Sequence, residues 1–247
     1  MDFSLIQSLI GCLSAWLIGL SKSGVPGAAM VTVPLMADQF GAKVSVGLML
    51  PTLITGDICA LIYYRRFARW PLIIRVLPPT LVGIVLGWFL LGIIGDILLK
   101  RSMGLLVLAL LILRYVVERY DISGMNLARK FSVLVGMLAG LTTTLANAAG
   151  PLITVYLLWA QIEKEEFVGT AAWFFFIVNC CKVPFFIQRD MITMHTIPYN
   201  LVAIPLVVLG AVSGIWALKK INQRLFEGIV QVFVIAASLK LLSTGWI

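Results

Sequence analysis

The sequence predicts an all-α polytopic membrane protein, and three observations carry that prediction. Of its 247 residues, 61% are hydrophobic and only 12% are charged, against about 45–50% and about 25% in an ordinary soluble domain. The apolar residues form runs near the ~20 residues that a transmembrane helix needs. The basic residues, which give a net charge of +8, lie between those runs, where juxtamembrane charges belong. This composition excludes a soluble enzyme and a nucleic-acid-binding domain.

The apolar runs follow one another closely, and glycine and proline interrupt them at two places, 21–27 and 146–151. As one helix, residues 5–40 would be roughly 54 Å long, which exceeds the ~30 Å hydrocarbon core. This segment is therefore either kinked and tilted or folded back as a hairpin. The predicted apolar runs are 5–20, 28–40, 44–64, 72–94, 98–117, 131–145, 152–161, 167–187, 196–218 and 225–242.

The second half of the chain repeats features of the first half. GLSKS at 19–23 aligns with GLTTT at 140–144, and Pro78 and Pro205 are each followed by two glycines at the same spacing. We therefore predict two homologous halves, each a broken helix followed by three transmembrane helices. The first transmembrane repeat covers 1–119, a cytoplasmic connector covers 120–130, and the second transmembrane repeat covers 131–247.

Basic residues between the runs indicate the orientation. The clusters at 65–75 and 114–130 are predicted to be cytoplasmic. The side of a third cluster, at 219–224, depends on the broken segments. It is also cytoplasmic if each broken segment enters the membrane and returns, and it is external if each one crosses the membrane. We favour re-entry, which places the halves in opposite orientations as inverted repeats, a recurring transporter design.

The two breaks are the predicted substrate site, because interrupted helices at matching positions of two repeats point to one. Free N–H groups and the dipole at the start of a helix favour an anion. The alternative is a packing kink whose polar groups satisfy one another. The predicted substrate-binding residues are Ser21, Lys22, Ser23, Gly24, Gly27, Thr142, Thr143, Thr144, Asn147, Gly150, Asn179 and Lys182.

Three ionisable residues lie at the first break or within apolar runs, where a charge inside the membrane is costly. Lys22 either contacts the substrate or extends its ammonium to the interface. Lys182 is a second anion contact or an interfacial residue near the end of its span. Asp57 is predicted to couple transport to a proton, and the alternatives are a partner for a buried lysine or a structural hydrogen-bonding residue.

The sequence carries no signal of catalysis. The four cysteines lie in apolar runs without metal-ligand spacing, and no catalytic triad, P-loop or Rossmann glycine pattern appears. We therefore expect no metal, no cofactor and no enzymatic activity.

Several motifs in order resemble the sulfite exporter TauE/SafE family of membrane permeases. They are GLSKSGVPG at 19–27, VPL at 33–35, SVGLMLP at 45–51, YYRR at 63–66, LANAAGP at 145–151 and WFFF at 173–176 with Asn179 and KVP at 182–184. Many members have a run of glycines where this chain has GAA at 27–29. The resemblance implies movement of sulfur-containing anions such as sulfite, sulfonates, sulfoacetate or thiosulfate, generally outward.

Residues and resemblance together predict a secondary transporter in the inner membrane that exports a small sulfur-containing oxyanion by alternating access. Its expected partners are that anion and the lipid bilayer, with no nucleic acid, and the sequence leaves a homo-oligomer open. The alternatives are a non-transporting membrane subunit and a membrane-embedded enzyme.

Overall fold

The described part of the chain is helical, as the sequence predicts. A computed structural model describes residues 4–24, 28–120, 124–194 and 196–220, with four isolated positions beyond them. The predicted run 225–242 lies almost entirely outside the described residues. The helices are α1 Leu5–Ser23, α2 Thr32–Phe40, α3 Ala42–Tyr64, α4 Trp70–Ile93, α5 Asp96–Arg119, α6 Met125–Ala146, α7 Gly150–Trp159, α8 Lys164–Gln188 and α9 Ile197–Lys220, with short 3₁₀ turns at Ala28–Val31 and Arg65–Phe67.

Five of the described helices are long and apolar enough to cross a membrane, namely α1, α3, α4, α8 and α9. The prediction of a polytopic membrane protein is therefore confirmed. The runs 98–117 and 131–145 lie in α5 and α6, which are not among the five because charged residues occupy their helices. α6 also begins at Met125, so the second part of the connector at 120–130 is helical.

Both interrupted segments fold back as hairpins. The Gln7 side chain near the start of α1 donates to the Gln39 carbonyl near the end of α2, at 2.9 Å. In the second half, the Gly124 N–H donates to the Trp159 carbonyl at the end of α7, at 3.1 Å. Each short helix thus returns to the end from which its hairpin began, so neither segment continues as a single kinked helix.

The second break has a local explanation in its sequence. Asn147 ends α6 in the left-handed conformation, with φ 52° and ψ 30°, and its N–H bonds back to α6 carbonyls. Asparagine tolerates this conformation better than most residues. Pro151 then lies in the first turn of α7, where its fixed φ and missing N–H suit a helix start.

α3 and α8 run in opposite directions. Asp57, late in α3, contacts Asn179 in α8, whereas Gly47, early in α3, lies against Met191 beyond the end of α8. α3 begins beside the start of α1, because α2 returns there, and so α3 runs in the direction of α1.

α4 runs parallel to α8. The tilted rings of Trp70, the first residue of α4, and Trp173, in the first half of α8, have centres 5.3 Å apart. Trp88 contacts Phe185 near the ends of the two helices, at 6.0 Å. α4 is therefore antiparallel to α3.

Glycines bring two further helix pairs into backbone contact. Gly83 and Gly140 join α4 to α6, and Gly19 and Gly210 join α1 to α9. A methyl group at any of the four would collide with a carbonyl oxygen of the partner helix, as expected where small residues let membrane helices approach. The broken helix of each half thus packs against the Pro-Gly helix of the other half.

Both glycine-mediated pairs are parallel. Along α4 and α6, contacts advance from Gly136 beside Pro79 to Gly87 beside Thr144. The corresponding contacts of α1 and α9 are Gly11 with Tyr199 and Gly214 with Ser23. α1, α3 and α9 therefore run one way, and α4, α6 and α8 run the other way.

Candidate functional site

A cavity of about 110 Å³ lies where the turns of the two hairpins meet α8. Most of its wall is apolar, with Phe167, Val168, Ala171 and Phe175 from α8 and Met30 from the first hairpin. Seven predicted site residues line it, from both breaks and from α8. They are Ser21, Lys22, Gly24, Thr143, Asn147, Gly150 and Asn179.

Lys22 presents its ammonium group to the cavity from the last turn of α1. Its Nζ atom forms an ion pair with Asp57 Oδ1 at 2.6 Å, and the Lys22 side chain is 13% exposed while Asp57 is fully buried. The same Nζ atom lies 4.1 Å from the centre of the Phe175 ring, close enough for a cation–π interaction. Of the three roles considered for Asp57, the geometry provides the partner of a buried lysine.

Lys182 is buried in the protein interior rather than extended to an interface, and it does not line the cavity. Its ammonium donates to the Thr143 carbonyl at 2.9 Å, to the Thr143 hydroxyl at 3.1 Å and to Asn147 Oδ1 at 2.6 Å. The Asn147 amide in turn donates to the Val46 carbonyl at 2.9 Å. Lys182 therefore holds the second break in place, and the Asn147 side chain is already bonded at both ends.

Asn179 joins the two clusters. Its amide donates to Asp57 Oδ2 at 2.8 Å, and its carbonyl oxygen accepts from Lys182 at 3.5 Å. Lys22, Asp57, Asn179 and Lys182 thus form one buried network that spans both halves of the chain. Buried charges are costly unless they are paired or hydrogen-bonded. Lys22 and Asp57 are paired with each other, and Lys182 is hydrogen-bonded to neutral oxygens.

Three predicted hydroxyl groups lie away from the cavity. Ser23 donates to the Gly19 carbonyl and Thr144 to the Gly140 carbonyl, each at 2.8 Å, and Thr142 donates to the Ala139 carbonyl. Ser23 and Thr144 also sit at the glycine crossings, where they face Gly214 and Gly87. Ser23 therefore shapes the end of α1, and Thr142 and Thr144 shape the end of α6. Gly27, which was also predicted, lies outside the described residues.

The start of α7 opens on the cavity. Gly150 and Pro151 both line it, and a Cβ atom added at Gly150 would meet no atom within 4 Å. The positive end of the α7 dipole and its first N–H groups are therefore near the cavity, as an anion site requires.

Among the lining residues that the sequence did not predict, two bear on the chemistry of the cavity. Thr154 lies one helical turn after Gly150 and so shares its face of α7, a spacing that could have identified it. Phe175 belongs to an aromatic run that is typical of packing or lipid contact. Only the fold shows that this one ring lies beside Lys22.

No group of three or more His, Cys, Asp or Glu side chains that could hold a metal occurs among the residues that the structure describes. The ionisable groups at the cavity are instead the Lys22–Asp57 pair and Lys182 behind it. This arrangement can hold an anion by charge and hydrogen bonds.

The comparison with known families gives one match. A family model described as Sulfite exporter TauE/SafE matches residues 11–241. No curated protein and no solved structure matches the chain. The match covers the first hairpin from Gly11 onward, the second hairpin, α8 and every residue of the buried network.

Proposed function

The chain belongs to the sulfite exporter TauE/SafE family, and on that premise we propose that it is a secondary transporter that exports a small sulfur-containing oxyanion, such as sulfite or a sulfonate, across the inner membrane. The family is one of membrane anion exporters, which fits a non-enzymatic chain. The observation that carries the proposal is the cavity between the hairpins, because Lys22 is the one charged residue among its described lining residues.

The anion binds at the polar end of this cavity. The Lys22 ammonium and the start of α7 at Gly150 supply the positive potential, and the hydroxyls of Ser21, Thr143 and Thr154 supply hydrogen-bond donors. Asn147 and Asn179 act differently, since their amides already donate to Val46 and Asp57. These two residues fix the geometry of the site.

The charge of the network favours a monovalent substrate. The Lys182 Nζ atom has oxygen acceptors around it, which suits an ammonium group. With Lys22 and Lys182 protonated and Asp57 ionised, the buried groups carry one net positive charge. A monoanion such as hydrogensulfite or a sulfonate balances it, whereas a dianion such as sulfate would leave a negative charge in an apolar interior, which is costly.

Alternating access is proposed from the directions of the helices. α1 and α6, which begin the two halves, run in opposite directions, as do α3 and α8, and α4 and α9. These directions support an inverted repeat, in which one half rocks against the other around a shared site. They also support a common cytoplasmic side for the basic segments at 65–75 and 119–130 and for the end of α9.

Export is favoured by the inside-negative potential, which contributes about 2.3 kcal/mol per charge per 100 mV. If an ion is coupled to transport, Asp57 is the proposed site. An anion that approaches Lys22 competes with the carboxylate for the same ammonium group.

Flux in proteoliposomes tests this proposal. Sulfite and methanesulfonate are expected to move and sulfate is not. Lys22→Ala should lower flux by roughly 10- to 100-fold, because a hydrogen bond to a charged group contributes ~1.5–3 kcal/mol. Gly150→Ala should also lower it, by placing a methyl group in the cavity.

Two matched controls accompany these variants. Lys130→Ala removes an exposed lysine, and Gly95→Ala adds a methyl group at a glycine with no atom within 4 Å, and both lie away from the cavity. Both should leave flux unchanged. Equal flux for Lys22→Ala and Lys130→Ala would contradict the site.

A further inference from the structure

A second cavity, of about 470 Å³, lies at the end of the molecule where α4, α6 and α8 begin. Its wall contains three arginines from two distant segments of the chain. Arg69 directly precedes α4, Arg75 lies in α4, and Arg129 lies in α6. The sequence places these residues in separate basic clusters between apolar runs. The fold brings the clusters to one cavity, and the transport site does not use them.

The starts of three helices border this cavity. Pro71 lies in the first turn of α4, Met125 is the first residue of α6, and Glu163 immediately precedes α8. Each helix start carries a partial positive charge. Three such ends reinforce the potential of the arginines.

Hydrogen bonds fix the walls of this cavity. The Arg69 N–H donates to the Thr170 hydroxyl at 2.9 Å, and the Tyr156 hydroxyl donates to the Leu72 carbonyl at 3.1 Å. These bonds tie the start of α4 to α8 and to α7. The cavity is therefore formed before any ligand arrives.

The acidic residues of the cavity are engaged with only one of its arginines. Arg69 forms an ion pair with Glu166 at 2.7 Å, and Glu166 and Glu163 both raise the pKa of Arg69 above its ordinary value. Arg75 and Arg129 are exposed and have no ion-pair partner within the described part of the chain. Two guanidinium groups thus remain for an external anion, and guanidinium suits phosphate oxygens.

We propose that this cavity binds the phosphate group of an anionic phospholipid from the cytoplasmic leaflet. The volume of the cavity exceeds that of a free phosphate. Three apolar side chains that neighbour its lining residues in sequence are exposed, namely Phe67, Trp70 and Ile74, the last of which is 65% exposed. A headgroup held by Arg75 and Arg129 would lay its acyl chains along these residues. Basic pockets between membrane helices on the cytoplasmic side recognise such headgroups.

Thermal unfolding of the full chain in detergent tests the proposal, with phosphatidylglycerol, phosphatidylcholine or inorganic phosphate added. Phosphatidylglycerol is expected to raise the Tm more than the other two. Arg75→Gln combined with Arg129→Gln should weaken its apparent affinity about 30-fold, since each basic residue near an anionic surface contributes ~1 kcal/mol. Sulfite flux in neutral-lipid proteoliposomes should not change, because neither arginine lines the transport cavity.

Arg66→Gln is the matched control, because Arg66 is exposed in the same basic cluster and does not line the cavity. It should keep the wild-type affinity. Equal weakening by the control would show nonspecific attraction, and an equal Tm rise with inorganic phosphate would show a free-phosphate site. Either result, or unchanged affinity in the double variant, overturns the proposal.

Discussion

Lys22 and Lys182 are both intramembrane lysines, but their surroundings give them different tasks. Lys22 is partly exposed to the cavity and paired with Asp57. Lys182 is fully buried, and its three short hydrogen bonds end on neutral oxygens of the second break. Lys22 therefore faces the cavity, while Lys182 holds the cavity wall.

Replacement of Lys22 by Gln should destabilise the protein by about 3–5 kcal/mol, because the change leaves the buried Asp57 carboxylate without its cation. Adding Asp57→Asn should restore much of that stability, since the charge is then gone from both sides. The measurement is thermal unfolding in detergent, together with flux. In the double variant, we expect the Tm to recover while the flux stays low.

Lys130→Ala again serves as the control for loss of a lysine and should leave the Tm unchanged. If the second substitution lowers stability further, with the two losses simply adding, then Lys22 and Asp57 do not depend on each other.

The helices α4 and α6, like α1 and α9, depend on glycine where their backbones meet. Gly83 and Gly210 occupy matching places in the two pairs, and each faces a carbonyl oxygen of the partner helix. The pairing thus relies on backbone approach, for which a larger side chain leaves no room.

Gly83→Ala and Gly210→Ala should each destabilise the protein by roughly 1–3 kcal/mol, because overpacking forces the two helices apart. Thermal unfolding is the measurement. Gly95→Ala should be neutral, since space surrounds that residue. Equal Tm values for all three variants would mean that the crossings tolerate a methyl group.

The sequence predicted where the helices are interrupted, because glycine and proline affect the backbone locally. It could not assign the hydroxyl groups around them. Ser23, Thr142 and Thr144 bond carbonyls of their own helices, and nothing in the chain distinguishes them from Thr143, which faces the cavity. That distinction depends on helix rotation against α9 and α4, which is a tertiary property. Phe175 was missed for the same reason.

At the scale of the whole molecule, the contacts sort the helices into two opposing directions, and the basic segments collect at one end. Composition predicted a membrane protein, and the spacing of the charges predicted that the basic segments lie on one side of the membrane. The sequence left open whether the broken segments cross or return, because helix length alone allows both. The Gln39 and Trp159 carbonyls, bonded at the starts of the two hairpins, show the return.

Single cysteines in a cysteine-free background test this arrangement in intact cells. Arg66→Cys and Lys130→Cys should be protected from a membrane-impermeant thiol reagent added outside, because we propose that their segments face the cytoplasm. Gly95→Cys and Met194→Cys, at the opposite ends of α4 and α8, should react. The measurement is labelling before and after permeabilisation. Reaction of all four from outside would contradict the orientation.

The crossings at Gly83–Gly140 and Gly19–Gly210 also bear on the order of assembly during synthesis. Each crossing joins a helix of the first half to a helix of the second, so α1 and α4 leave the ribosome before the partners whose backbones they meet. Until then, the glycine-containing surfaces of α1 and α4 have no partner helix. α6 then packs against α4, whereas α1 has no partner until α9 is inserted. The carboxyl-terminal half therefore completes the packing of the amino-terminal half.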